Sequence, residues 1–570
     1  MAVSFREKGC GFSLCKTLKR VYSMKFGKWV LMGLMSLVGA FPVRGQGNVS
    51  ALLPLPNSIE QQTGFFQPER VVRAACSGMG GETYCRSRLQ EIFRQRLGCE
   101  VQWAELSAAR PAELQMAVDP TLKGREHYVL EVTPKGVSLV GATEAAVVVG
   151  LQTLDQLLLG DACQTAAGRM ACVRIDDQPR FAFRALMLDP ARHFLPVADV
   201  KRYIDQMVRY KYNVLQLHLS DDQGWRVEIR KYPQLTEKGA FRRQGAGAQG
   251  PDNGFYTQDE LRDLVDYAAQ RNVEIVPEID MPGHTVALLT AFPELKCEVA
   301  DTAQWVLGKT DNKMLCAACD RTYEVCKDIL AELADIFPSS RVHLGGDEAA
   351  LAKNWAVCPR CRKLMEEKGF TEVAQLMGYF FANILPSVRE KGKTPVLWCE
   401  LDNLWMPAHE YLFPYPQDVT LITWRNGLTP KCMELTAQSG NPLIMAPGEY
   451  TYFDYPQWKG DLPEFNNWGM PVTPLKKVYE FDPEYGWDPK DLPRIEGVMG
   501  TLWGEAIKDV HRATYMTYPR GLALAEAGWT QMEHRSWGSF QQRMLLNLMN
   551  LMREGVSFRV PYEVFNNIIR

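Results

Sequence analysis

The chain has 570 residues, 46% hydrophobic and 23% charged, which supplies enough apolar side chains for large cores and excludes a globally disordered chain. Lys+Arg 64 against Asp+Glu 67 leaves a net charge of −3, and no basic stripe marks a nucleic-acid binder. At roughly 100–200 residues per domain the length suggests three or four domains, although an α/β barrel takes about 250 or more as one unit. The uncommon counts are 14 Trp against 8 His. A flat apolar ring with one N–H suits sugar faces and large interfaces, so where these residues fall carries the reading.

Met24-Lys25-Phe26-Gly27-Lys28 is a short basic start, followed by an apolar stretch from Trp29 to Phe41 that is too short to span a bilayer. Val43-Arg44-Gly45 offers small or neutral residues around a cleavage point. Residues 24–45 therefore read as a signal peptide and 1–23 as an upstream extension, with an uncleaved anchor as the alternative. The expected product is exported, periplasmic or secreted, with no stable membrane span after cleavage. Of the 15 Cys, Cys10 and Cys15 precede the signal, leaving an odd 13. Cys316/Cys319 and Cys358/Cys361 have C-x-x-C spacing and could together make a four-thiolate zinc site. For an exported chain, local disulfides or plain buried thiols are the favoured reading.

Residues 48–177 read as a small α+β domain. Tyr128–Thr133 and Gly136–Val140 form a hairpin around Pro134-Lys135-Gly136, and Thr143–Leu159 has helical spacing of apolar residues. A polar junction, Asp176-Asp177-Gln178-Pro179, sets the boundary. From 178 to 570, strands at Ala185–Asp189, Val214–Ser220, Glu274–Asp280, Arg341–Gly345, Pro395–Glu400, Leu421–Trp424, Leu443–Ala446 and Val498–Trp503 are predicted. Amphipathic helices such as Val197–Tyr210, Thr257–Arg271 and Thr322–Ile336 lie between them. The fold class is therefore α/β, a (β/α)₈ TIM barrel preceded by the small α+β domain. Ser539–Glu554 is a last helix, placed on the barrel exterior.

The active site of such a barrel lies at the C-terminal ends of its strands. Here those ends deliver Arg192-His193, His218, Asp221, Trp225, Asp280, His284, His343, Asp347-Glu348, Trp398-Cys399-Glu400, Trp424, Tyr452, Asp454, Trp503 and Glu505. Any one of them has an ordinary structural reading; one rim collecting all of them points to a site. Carboxylates and a guanidinium bind sugar hydroxyls, Trp faces stack on a pyranose, and glycosidic cleavage needs a proton donor. The adjacent carboxylates Asp347 and Glu348 cannot ionise independently, so one is expected to hold its proton to higher pH. A metallohydrolase is the competing reading for His218, Asp221, Asp280, His284, His343 and Asp347, but no H-x-H or H-E-x-x-H pair is present and the three Trp would stay unexplained. No metal and no cofactor are expected at this rim. A non-catalytic sugar-binding barrel is the other rival, and it would not need the acid pair.

The strings His343-Leu-Gly-Gly-Asp347-Glu348, Arg192-His193-Phe194, His218-Leu-Ser-Asp-Asp-Gln-Gly-Trp225 and Pro282-Gly283-His284 resemble the glycoside hydrolase family 20 β-N-acetylhexosaminidases. The resemblance covers nearly the whole chain after residue 45. It implies an exo-acting enzyme on non-reducing terminal β-linked GlcNAc or GalNAc, retaining and substrate-assisted, with no enzyme nucleophile. Glu348 then matches the general acid, Asp347 the residue that orients the acetamido N–H, and Tyr452 the hydroxyl on the acetamido oxygen. Arg192, Asp454 and Glu505 match hydroxyl binders, Trp398, Trp424 and Trp503 the walls, and Asp221 with His284 a pair supporting the acid. Cys399 departs from the family, which often has an acidic residue there, and this puts polar support from that position in doubt. The implied partner is a glycan with a terminal N-acetylhexosamine. The natural glycan, its linkage and the oligomeric state are not legible; loops 240–255 and 456–495 carry that choice.

Overall fold

The computed structural model describes residues 51–80, 82–104, 112–164, 168–242, 252–299, 313–400, 415–461, 470–561 and 564. The signal-like segment 24–45, the extension before it, Cys10, Cys15 and Cys163, and parts of the 240–255 and 456–495 loops lie outside what is described in full.

A seven-stranded mixed sheet comes first, from Ser58–Phe66 to Met170–Asp177. The predicted hairpin is its middle, Tyr128–Thr133 paired antiparallel with Gly136–Gly141. Gly136 must be glycine, because its φ is +154° and a Cβ there would sit 2.0 Å from the Glu113 carbonyl oxygen. Helices Glu82–Leu97 and Glu144–Gln164 pack on the sheet. The second runs five residues past the Leu159 expected from its spacing. It is apolar nearly all round because it is covered twice, by the sheet and by two helices from the rest of the chain, Val197–Arg209 and Trp537–Arg553.

Eight parallel strands then close into a barrel. Their ranges are Phe183–Leu188, Val214–His218, Glu274–Glu278, Arg341–His343, Thr394–Trp398, Thr420–Thr423, Leu443–Met445 and Ile495–Gly500, and the last pairs with the first. All eight coincide with predicted strands, but every one stops one to three residues short of its predicted end. The reason is local: beyond the ladder the chain turns to present side chains at the rim, as at Gly345, where φ is +69°. The inward residues Phe183, Ala185, Met187, Val276, Val396, Trp398, Ile422, Ile444 and Met499 form a core of their own inside the barrel. Thr257 caps helix Gln258–Ala269 with the reciprocal Glu260 capping box that the sequence shows.

The two parts meet through buried charge. Arg184 on the first barrel strand donates from Nη2 to both carboxylate oxygens of Glu126, each at 2.8 Å. Asp177 accepts from Tyr128 Oη at 2.8 Å, Lys211 Nζ at 3.1 Å and Trp529 Nε1 at 2.9 Å. The last helix, Trp537–Arg553, is not only an exterior element. Its Arg543 pairs with buried Glu526 and donates to the Leu52 carbonyl, and its Asn547 donates to Ala51. It thereby ties the first described residues to the barrel. No helix among the described residues is long and apolar enough to cross a membrane.

Asp155, on the twice-covered helix, lies 2.6 Å from Arg88 Nη2 and 2.7 Å from Arg96 Nε. Burial pushes its carboxyl up, but Arg88, Arg96 and Arg209 outweigh that and bring it down to about 2. A depressed carboxylate stabilises the fold above its unfolded pKa near about 3.9, and that stability is lost as pH falls toward the folded value. Asp155→Asn is expected to cost on the order of 2 kcal/mol at pH 7, with the gap to wild type closing below pH 4. Urea unfolding at both pH values checks this; a deficit that persists undiminished at low pH would assign the loss to packing instead of charge.

Candidate active site

The rim is built around one aspartate. After the second strand the chain makes a two-residue hairpin, Ser220-Asp221 against Gly224-Trp225, which turns Asp221 inward. Trp225, which had no assignable role in the sequence, is buried and donates to the Val227 carbonyl at 2.6 Å, so it anchors this hairpin. Asp221 is 1% exposed and faces three cationic groups: Arg192 Nη2 at 2.6 Å, His218 Nε2 at 2.8 Å and His284 Nδ1 at 3.3 Å. Burial alone would raise its pKa, but Arg192, His284 and His218 hold it well below the usual carboxylate range.

From His284 the path continues to the acid pair. His284 Nε2 stands 3.6 Å from Glu348 Oε2 and 3.7 Å from Asp347 Oδ2. His284 and Glu348 both have left-handed backbones, φ +51° and +47°, a conformation rare for such residues that marks a site where position outweighs local strain. The two glycines before Asp347 make the turn. Gly345 has φ +69°, and a Cβ on it would lie 1.7 Å from Asp280 Oδ1. Gly346, at φ +98°, donates to that same oxygen at 3.2 Å. Glu348 projects outward with a side chain 35% exposed, whereas Asp347 is buried.

Behind this layer lies a second carboxylate that the sequence reading left without a role. Glu278, fully buried, holds His218 at 2.9 Å, His343 at 3.2 Å and the Trp398 indole N–H at 2.8 Å. Burial opposes its charge, but His343 and His218 keep it well below the ordinary range. It fixes the ring of Trp398, which packs 5.6 Å from Trp503, with Tyr452 6.3 Å beyond; Trp424 joins the same cluster. On the opposite flank Arg192 is clamped by Asp189 at 3.0 Å and lies over the Trp503 ring at 4.9 Å. Glu505 senses Arg192 and Asp189, and Asp454 senses Glu505. The eleven residues to which the resemblance gives a role thus share one rim. Asp189 and Glu400, which end the first and fifth predicted strands, had no assigned role; the fold sets Asp189 against Arg192 and Glu400 beside Arg425 and the Glu348 N–H. Cys399 contributes no polar support; it is buried, with its sulfur 3.3 Å from Cys432 Sγ.

The carboxylates that titrate high are set by crowding. Burial, then Asp347, raises Asp280 well above normal. Burial also raises Glu400, with Arg425 opposing and Asp347 and Glu348 adding. Burial and Glu505 push Asp454 up to about 8. Several polar atoms at the rim are buried without a hydrogen-bond partner in the protein, among them Asp347 Oδ1, Tyr452 Oη, Asp454 Oδ1 and Trp424 Nε1. An unpaired buried polar group is costly, so a group of them around one mouth suits the polar atoms of a ligand. His218–Glu278–Asp280 and Asp221–Asp280–His284 are close enough together to suit a metal ion. Asp221 and Glu278, however, already face Arg192, His284 and His218, so the cationic place is filled by side chains.

A (β/α)₈ barrel whose rim joins an acid pair, a tyrosine hydroxyl and tryptophan walls is a glycoside hydrolase site. The comparisons specify it further. Residues 181–532 match the glycosyl hydrolase family 20 catalytic domain and residues 49–178 match domain 2 of that family. The chain belongs to glycosyl hydrolase family 20. It is 37% identical over 446 residues to a β-hexosaminidase of Akkermansia muciniphila, covering 77% of this chain and 87% of the relative. A β-hexosaminidase of Vibrio furnissii is 33% identical over 488 residues, 84% of this chain and 76% of that one. Among solved structures, the Vibrio harveyi exo-β-N-acetylglucosaminidase with N-acetylglucosamine superposes with a TM-score of 0.76 at 30% identity, covering 92% of this chain and 81% of that chain. The Streptomyces plicatus N-acetyl-β-hexosaminidase does so with 0.75 at 30%, covering 91% and 98%.

Burial works against a charged His284, but Asp221, Asp280 and Asp347 outweigh it and raise its pKa well above 6.5. His284 is therefore expected to remain charged through pH 7 and to lose its proton at lower pH in Asp221→Asn. Imidazole NMR titration of the two proteins checks this; the same midpoint in both would remove Asp221 as the controlling charge.

Proposed function

We propose that this family 20 glycoside hydrolase is an exo-β-N-acetylhexosaminidase that removes non-reducing terminal β-linked GlcNAc or GalNAc by a retaining, substrate-assisted reaction, with the rim residues in the following roles. The observation that carries it is the pairing of two orphaned atoms, the acceptor Asp347 Oδ1 and the donor Tyr452 Oη, beside a partly exposed acid, Glu348. An acetamido group has one N–H to give and one carbonyl oxygen to receive. Asp347 accepts that N–H, and Tyr452 donates to that oxygen. Burial, then Tyr455, raises the Tyr452 pKa well above 10, so the phenol remains a donor.

Held this way, the acetamido oxygen attacks the anomeric carbon. The glycosidic C–O bond breaks as Glu348 passes its proton to the leaving oxygen, and the cationic oxazolinium is balanced by Asp347. Water then attacks the same carbon, gives a proton back to Glu348 and reopens the ring, so two inversions yield retention. The gain is proximity plus placed charge: the nucleophile is intramolecular and the partners are fixed beforehand. Trp398, Trp424 and Trp503 wall the acetamido group and the ring, while Arg192, Asp454 and Glu505 bind the hydroxyls. Asp221 and His284 position the acid. The protein is further proposed to be exported, on the basic and apolar pattern of residues 24–45.

Glu348→Gln is expected to lower kcat about 10²- to 10⁴-fold on oligosaccharides with poor leaving groups, and much less on activated aryl β-GlcNAc. Equal losses on both would rule Glu348 out as the acid. Asp347→Asn is expected to slow both substrates and to weaken a thiazoline mimic of the oxazolinium, which inhibits the wild type strongly if the mechanism holds. Export is checked by the amino-terminal sequence of the protein recovered from the cell exterior or periplasm: a start shortly after Gly45 is expected, and full-length protein confined to the cytoplasm would overturn it.

A further inference from the structure

The cysteines do not assemble as their sequence spacing suggests. Cys297, Cys316, Cys319, Cys358 and Cys361 form no disulfide. Cys297, Cys316, Cys358 and Cys361 meet at one buried point, with all four sulfurs within 4.8 Å of one another and each residue at most 1% exposed. Cys319, the second half of the first C-x-x-C, stays outside and only partly buried, at the start of helix Asp320–Ile336. Cys297, far from either pair in sequence, takes its place.

The geometry is that of a tetrahedral thiolate cage. A zinc ion with Zn–S bonds of about 2.3 Å puts its sulfurs about 3.8 Å apart along each edge. Cys316 Sγ and Cys361 Sγ are 3.5 Å apart, and Cys297 Sγ and Cys361 Sγ 3.9 Å apart. A disulfide requires about 2.05 Å. The surroundings suit the excess negative charge of four thiolates around one dication. Cys358 caps helix Pro359–Lys368 and Cys361 lies in its first turn, where the helix dipole favours anions, and the Cys361 N–H points to the Cys358 sulfur. Arg360 stands close to Cys316 and Cys358. It is steered there by the Lys296 carbonyl at 2.7 Å and Glu298 at 3.0 Å.

We propose that these four cysteines bind one structural zinc ion that fastens the excursion after the third barrel strand to the one after the fourth. With four protein ligands the site has no open position, so its role is to hold backbone. Cys297 and Cys316 belong to the excursion that begins with His284, and their neighbours are knitted by the Cys316 N–H to Leu295 at 2.8 Å and the Leu315 N–H to Pro282 at 3.0 Å. Cys358 and Cys361 belong to the excursion that begins with Asp347 and Glu348. Trp355 in it donates to the Leu315 carbonyl at 2.8 Å. The ion would therefore lock the separation of His284 from the acid pair from a distance, touching neither.

The test uses the full chain, purified under reducing conditions without chelator or added metal. Elemental analysis is expected to find one zinc per chain, and protein grown in cobalt should show intense thiolate-to-cobalt charge-transfer absorption. Cys361→Ser should lose the zinc and show a lowered Tm, whereas Cys319→Ser should keep both at wild-type values. Should Cys361→Ser not fold, the cobalt spectrum of the otherwise unaltered chain and the zinc content of Cys319→Ser decide the matter. Folded wild type without zinc, disulfides among the four found by mass spectrometry, a cobalt protein lacking the charge-transfer bands, or zinc lost in Cys319→Ser would each overturn the proposal.

Discussion

Asp221 and its three cationic neighbours are the interaction on which the rim depends. A carboxylate at 1% exposure is costly to charge unless its partners come with it, and here Arg192, His218 and His284 converge on two oxygens. Each neighbour links to a further element. Arg192 reaches Asp189 just after the first strand, His218 reaches Glu278 on the third, and His284 faces the acid pair after the fourth. One charge balance therefore spans the barrel mouth, and removing any member leaves another buried charge unpaired. Such a network holds groups in place before substrate arrives, which is what electrostatic preorganisation requires.

The same logic operates farther away, without chemistry. Asp177 with Lys211, Glu126 with Arg184, and Asp155 with Arg88 and Arg96 join the first domain's sheet and helices to each other and to the barrel. The helix Glu144–Gln164 is the wedge between the two parts, which is why an acid in its middle needs two arginines. The site and the domain junction are thus solutions to one problem, the burial of charge in a large apolar interior.

Much of this was legible in the chain itself. Eight short apolar runs separated by amphipathic stretches predict the barrel, because hydrophobic period reports which face is buried. The polar and tryptophan residues ending those runs predict the rim, because parallel strands all deliver their ends to one side. Strand ends were less legible. Gly345 looks like strand continuation until the Asp280 side chain is seen filling the space a Cβ would need. Glu278 was likewise read as a strand residue, and only its packing against two histidines and an indole reveals its work.

By itself, then, the sequence determined the element order, the side of the barrel that carries the chemistry, and the family, since periodicity and strand-end identity are local properties. Tertiary structure alone decided the partners. It placed Cys297 where Cys319 was expected, paired Asp221 with His284 63 positions further along the chain, and raised the pKa of Asp454. The physical reason is that thiol clusters, ion pairs and shifted pKa values depend on distance and burial, and residues far apart in sequence acquire those only when the chain has closed.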